Sequence, residues 1–196
     1  FENGFDKVAE KYQIGKNYIL SVGTIQPRKN YVRLIEAFSK VASNNLELII
    51  VGKKGWLYDE SLEAPKRFGV MDRVKFLEFV PEEDLVGLYE GAICLALPSL
   101  YEGFGLPVLE AMAHTCSVVV SNSSSLPEIA GEAGIYVDPE DVGSIAQGLT
   151  QAINEHGTQK ESERVKKGLE HIKRFSWEKA AKQTLDILTQ VGKGDV

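Results

Sequence analysis

Two cysteines among 196 residues, Cys94 and Cys116, are too few for a disulfide framework. Both sit in apolar runs and read as buried thiols of a reducing compartment. The three histidines, His114, His156 and His171, have neither metal-ligand spacing nor a cysteine partner, so no zinc site is expected. No G-x-G-x-x-G follows the first strand-like run and no acid closes the second, which disfavours a nicotinamide dehydrogenase. The P-loop pattern G-x-x-x-x-G-K-[ST] is absent, as is the G-x-S-x-G elbow of serine hydrolases. No apolar stretch approaches the ~18–20 residues that span a bilayer, and no signal peptide is visible. Positive charge is in deficit: 22 Lys and Arg face 28 Asp and Glu, a formal net charge of −6. An acidic chain is a poor nucleic-acid binder, although a local convergence of cations can still hold a phosphate.

What is present is ordinary for a globular domain. Hydrophobic residues make up 43% and charged residues 26%, with 18 Gly and 7 Pro, which excludes a disordered tail, a collagen-like chain and a coiled coil. The length fits one large domain or two small ones. A chain of this size buries about 70% of its unfolded surface and needs no crosslink. It opens at Phe1 rather than Met, so a piece of something longer is expected.

Six short apolar runs recur: Tyr18–Gly23, Leu46–Gly52, Val74–Phe79, Ile93–Pro98, Val118–Asn122 and Ile135–Val137. Runs of this length, hydrophobic almost throughout, suit strands covered on both faces, as in a parallel sheet. Helical spacing separates them. Asn30 is the expected N-cap of a helix carrying Leu34, Ala37, Phe38 and Val41. Pro81 and Pro107 fit the first positions of two more, and Asp138-Pro139 starts another through Ile145, Leu149 and Ile153. The expected fold is α/β, a Rossmann-like doubly wound parallel sheet of about six strands. About three helices close the chain, the last capped by Ser176 with Trp177, Ala181, Leu185 and Leu188 on one face. Glu161–Lys173 reads as a solvated helix face. Residues 1–16 read as a lead-in helix or linker and 17–196 as the domain.

In open α/β sheets ligands lie beyond the carboxyl ends of the strands. After the first strand, Gly23 turns the chain toward Arg28 and Lys29, just before a helix start. These two cations are either an anion site or a surface pair. After the fourth strand comes Glu102-Gly103-Phe104-Gly105-Leu106-Pro107, with Glu110 about one turn into the next helix. Gly103 and Gly105 allow close backbone approach, and the amides of Phe104, Gly105 and Leu106 favour an anion. Two carboxylates flanking an anion loop would repel phosphate alone. They suit a ligand with phosphate in the middle and hydroxyl groups at both ends, because carboxylates accept paired hydroxyl hydrogens. Lys53, after the second strand, adds charge near a diphosphate or faces solvent. Val80, after the third, offers backbone to a nucleobase. Ser121–Ser125 reads as a polar loop with a capping serine.

These residues resemble family-4 retaining glycosyltransferases of the GT-B fold. The resemblance rests on Gly23…Pro27-Arg28-Lys29-Asn30, on Glu102 and Glu110 with seven residues between them around Gly-Phe-Gly-Leu-Pro, and on Ser124-Ser125-Leu126-Pro127-Glu128. It runs from about Asn17 to Leu188, and its flavour is that of bacterial mannosyltransferases building lipopolysaccharide O-antigen or core. It implies a C-terminal donor-binding domain, the acceptor being held by an N-terminal domain. Arg28 and Lys29 would bind the diphosphate with the loop amides, Glu102 the sugar hydroxyls and Glu110 the ribose diol. The implied catalytic residues are Glu102, Arg28 and Lys29. Gly23, Lys53, Val80, Gly103, Phe104, Gly105, Leu106 and Glu110 complete the donor-binding set. A GDP- or UDP-linked sugar, with mannose expected, would pass to a glycan or lipid-linked acceptor without metal or other cofactor. The enzyme would be cytoplasmic or peripheral to the inner membrane, with the isolated domain inactive in transfer. The rival readings are a GT-B-like nucleotide-sugar epimerase and a non-catalytic nucleotide-binding module. The chain departs from the family at Thr115, Cys116 and Ser117, where a helix-ending glycine and a proline are usual, and at Thr24, where many relatives have Arg. The first departure is expected to cost about 1 kcal/mol of local stability.

Overall fold

The hydrophobic runs become strands β1 (Tyr18–Val22), β2 (Glu47–Val51), β3 (Val74–Leu77), β4 (Cys94–Leu97), β5 (Ser117–Ser121) and β6 (Gly134–Val137). All pair in parallel in the order β3-β2-β1-β4-β5-β6. This is a computed structural model that describes residues 4–41 and 45–193. The first three residues of the expected lead-in segment lie outside the described residues. The helices are α1 (Gly4–Tyr12), α2 (Tyr31–Ser39), α3 (Asp59–Arg67), α4 (Glu82–Gly91), α5 (Leu106–Ala113), α6 (Leu126–Ala130), α7 (Val142–Glu155), α8 (Gln159–His171) and α9 (Trp177–Lys193).

Strand side chains alternate faces, so each central strand feeds two cores. Ile19, Leu48, Ile50, Ala96 and Val119 meet α2 and α7 through Leu34, Phe38, Ile145 and Leu149. Leu20, Ile49, Leu95, Val118 and Val120 face the other way, onto Val8 of α1, Leu88 of α4, Val108 of α5 and Ile129 of α6. This two-sided burial is why the central strands read as unbroken apolar runs. The edge strands are less covered, and Tyr136 of β6 is exposed. Cys94 and Cys116 are buried free thiols, and burial raises both pKa values, that of Cys116 to about 12. Helix α1 packs on α4 with Phe5 stacked on Tyr18 and with Lys11 and Tyr12 both bonded to Asp84.

Several local expectations need correction. Asn30 does not cap α2 with its side chain. It adopts a left-handed conformation (φ 63°), and its amide donates to the carbonyls of Pro98 (2.9 Å) and Pro139 (2.7 Å), joining three loops. Val41 lies beyond the end of α2, although it still packs in the core. Pro81 occupies the N-cap of α4 rather than its first turn, and α5 starts at Leu106, one residue before Pro107. Helix α7 starts at Val142, not at Asp138-Pro139, because Asp141 caps it by accepting from the Gly143 N–H at 2.7 Å. Helix α3 is not among the helices expected from the sequence, and it holds Pro65 within its span. The Ser176 cap holds, its Oγ accepting from the Lys179 N–H. The face of α9 does not reach the core: Trp177 is 82% and Leu185 64% exposed.

At the end of α5, the Thr115 N–H bonds to Met112 O and the Cys116 N–H to Ala111 O, a Schellman closure with Thr115 at φ 58°. A β-branched residue is strained there. Thr115→Gly should therefore raise stability by about 1 kcal/mol, measured by urea unfolding. A destabilised variant would contradict this account of the turn.

Candidate functional site

Strand order reverses between β1 and β4, because the chain builds outward through β2 and β3 before returning to β4 on the other side. The loops after these strands therefore diverge to opposite sides and leave a crevice. Both loops carry the charged residues singled out in the sequence. The loop after β1 closes in a short 3-10 turn, Pro27–Lys29, and the loop after β4 is bonded to it through the Leu100 N–H to Arg28 O (2.8 Å).

Arg28, Lys29 and Glu102 converge. Glu102 accepts from Lys29 Nζ at 2.6 Å, from Arg28 Nη1 at 2.7 Å and from Ser99 Oγ at 2.8 Å. Lys29 and Glu102 are buried, at 5% and 6% exposure, and the Arg28 side chain is 38% exposed. Burial works against the Glu102 carboxylate, but Lys29, Ser99 and Arg28 outweigh it and hold the pKa below the ordinary glutamate range. The surface-pair reading of Arg28 and Lys29 thus fails for Lys29. Gly23 makes room for it: a Cβ there would stand 2.7 Å from Lys29 Nζ. Arg28 is held at several points. Its Nη1 donates to Tyr101 O at 3.1 Å, and buried Gln26, with its oxygen toward the guanidinium, accepts from Nε (2.7 Å) and Nη2 (2.9 Å).

The Gly103–Leu106 segment sits just past this cluster and opens α5. Among the described residues, no acceptor is bonded to the N–H groups of Gly103, Phe104, Gly105 or Leu106. These orphan donors at a helix start favour an anion. The two glycines differ in purpose. Space beyond Gly103 is open, whereas Gly105 has φ 111° and a Cβ there would meet Leu126 at 2.8 Å, so its need is internal packing. Glu110, on the second turn of α5, is exposed and accepts from Tyr89 Oη at 2.8 Å.

Lys53 is exposed, with its ammonium 5.7 Å from the centre of the Phe79 ring, and its carbonyl accepts from the Ile25 N–H of the loop after β1 at 2.9 Å. Val80 is buried in the second core at 8% exposure. The expected capping serine is not found: Ser125 stands at the N-cap of α6 but makes no side-chain cap bond, and the serine run holds a neighbouring loop instead. Ser124 Oγ accepts from the Glu102 N–H at 3.0 Å, and Ser125 Oγ donates to Phe104 O at 2.6 Å, with Glu102 O also 3.1 Å away. Ser121 Oγ donates to Ser99 O at 2.7 Å. The β5 loop thus grips the loop that carries Glu102. Sequence reasoning missed Ser99, Ser124 and Ser125 as parts of the site. The usable signal was adjacency: in a doubly wound sheet the loops after β4 and β5 are neighbours.

Among the described residues, no group of three or more His, Cys, Asp or Glu could hold a metal ion, and no helix is long and apolar enough to cross a membrane. The arrangement offers two anchored cations, free backbone donors and, on the loop after β4 and the helix it opens, two carboxylates of different exposure.

Residues 5–171 match the family Glycosyl transferases group 1. The O-antigen chain mannosyltransferase B of Escherichia coli is 38% identical over 183 residues, 91% of this chain and 48% of that protein. The O-antigen chain mannosyltransferase RfbU of Salmonella typhimurium is 36% identical over 126 residues, 64% of this chain and 35% of that protein. Among solved structures, a glycosyltransferase from Rickettsia africae superposes with a TM-score of 0.86 at 19% identity, covering 98% of this chain and 53% of that one. Anabaena Alr3699/HepE, solved with UDP and glucose, gives 0.84 at 21%, covering 97% and 53%. These two structural likenesses speak to fold, that of half a GT-B enzyme. The chain spans about half the length of the Escherichia coli relative, and by its sequence it belongs to the glycosyl transferases group 1 family.

Proposed function

We propose that this chain is the donor-binding half of a retaining, family-4-type glycosyltransferase that moves a sugar from a nucleoside diphosphate to a glycan or lipopolysaccharide acceptor. Mannose is the sugar favoured by the likeness to O-antigen mannosyltransferases. The observation that carries the reading is the Arg28–Glu102–Lys29 cluster beside the unbonded amides that open α5. In this reading residues 17–196 form the donor domain and 1–16 lead in from the half that holds the acceptor. The full enzyme, in this reading, is cytoplasmic or peripheral to the inner membrane, and this half alone transfers nothing.

Each residue has a role set by its chemistry. As the bond from the sugar anomeric carbon to the diphosphate oxygen breaks, negative charge grows on the leaving phosphate. Arg28, Lys29 and the amides of Phe104, Gly105 and Leu106 stabilise it. The acceptor oxygen bonds to the anomeric carbon on the same face, and its proton passes to the departing phosphate. Glu102 accepts hydrogen bonds from sugar hydroxyls and Glu110 from the ribose diol. Val80 backbone faces the base, and Lys53 contributes only long-range charge. Two cations and several backbone donors offset the diphosphate charge within the protein, so binding should persist in EDTA.

Calorimetry of the chain against GDP, UDP, ADP and inorganic pyrophosphate tests this. Glu110→Ala should weaken nucleoside diphosphate binding by about 1.5–3 kcal/mol and leave pyrophosphate no weaker. Equal losses for both ligands in a folded variant would overturn the ribose assignment. Binding that appears only with a divalent cation would overturn the metal-free mechanism.

A further inference from the structure

Glu110 is exposed, and an exposed glutamate ordinarily samples several rotamers, an entropy that binding must remove. Here one of its oxygens is fixed. Oε2 accepts from Tyr89 Oη at 2.8 Å, across from α4 to α5. Tyr89 itself has little freedom. It is 2% exposed, packs in the second core, and its ring lies parallel to that of His114 at 6.2 Å between centroids. Burial and the Glu110 carboxylate both raise its pKa, so the hydroxyl keeps its proton and remains a donor. Among the described residues, Oε1 has no partner.

We infer that Tyr89 is a positioning residue: its hydroxyl locks Glu110 in one rotamer and leaves Oε1 to receive the ligand's diol. The inference rests on the ribose role proposed for Glu110. A rigid carboxylate loses less entropy on accepting a hydroxyl, so removing the lock weakens the nucleoside end of the ligand and leaves the diphosphate end alone. Tyr89 touches no ligand in this account.

Tyr89→Phe deletes only the hydroxyl. The ring keeps its packing, and water can serve the exposed carboxylate, so the fold should hold. By calorimetry, whichever of GDP and UDP binds tighter to the parent chain should bind Tyr89→Phe about three- to tenfold more weakly. Inorganic pyrophosphate should bind unchanged. In a Glu110→Ala background, Tyr89→Phe should cause no further loss, because its only route to the ligand is gone. The inference is overturned if Tyr89→Phe leaves the nucleoside diphosphate affinity unchanged. It is equally overturned by parallel weakening of both ligands, or by a loss that persists in the Glu110→Ala background. A different result would sink the underlying role: Glu110→Ala binding the nucleoside diphosphate as tightly as the parent chain.

Discussion

Glu102→Ala should unfold at markedly lower urea than the parent chain, with about 3 kcal/mol lost, because it strands a buried cation. Lys29 is 5% exposed, and Glu102 is its ion-pair partner. Arg28 suffers less, being more exposed and held by Gln26 and Tyr101. Glu102→Gln keeps an oxygen for Lys29 and Ser99 and should lose less. The pH dependence has a definite sign. The folded-state pKa of Glu102 lies below its unfolded value, so its stabilisation is complete above the ordinary glutamate range and fades as pH falls through the folded value. The acid limb of the stability profile should therefore be shallower in Glu102→Gln. Binding moves differently from stability. A bare nucleoside diphosphate should bind Glu102→Gln no worse, since a competing anion is gone, whereas the sugar nucleotide should bind more weakly. Weaker binding of the bare diphosphate in a folded variant would refute the sugar-end role.

Lys29→Met and Arg28→Met should each weaken GDP, UDP and inorganic pyrophosphate alike, by about 1.5–3 kcal/mol, the range for hydrogen bonds to charged groups. The loss follows the phosphates and not the base, which separates these residues from Glu110. Arg28, more exposed, should account for most of the salt dependence of binding, because screening acts on solvent-facing charge. Titrations at low and high salt test this. If Lys29→Met binds pyrophosphate as well as the parent chain, the diphosphate does not sit at this cluster.

The six strands were legible because a two-sided sheet demands apolar side chains at nearly every position, and β2 (ELIIV) and β5 (SVVVS) supply them. Helix boundaries were less so. Asn30 looks like a cap in sequence, yet its amide has two carbonyl partners in other loops that outcompete the local α2 backbone. The apolar stripe of α9 had the right period for a buried helix, but period reports only that one face is apolar, not that another element covers it.

The chain's own sequence determined the α/β class, the strand-following loops and which charged residues and glycines those loops carry. These depend on periodicity, on which side chains carry charge and on where glycine and proline interrupt the pattern, all local properties. Only the tertiary structure decided that Glu102 lies between Arg28 and Lys29, that serines after β5 hold its loop and that the Tyr89 hydroxyl donates to Glu110. Those pairings join residues some 20 to more than 70 positions apart, brought together by the order of strands in the sheet. Strand order is set by how two cores fill on opposite faces, a cooperative outcome of packing that no short stretch of sequence encodes.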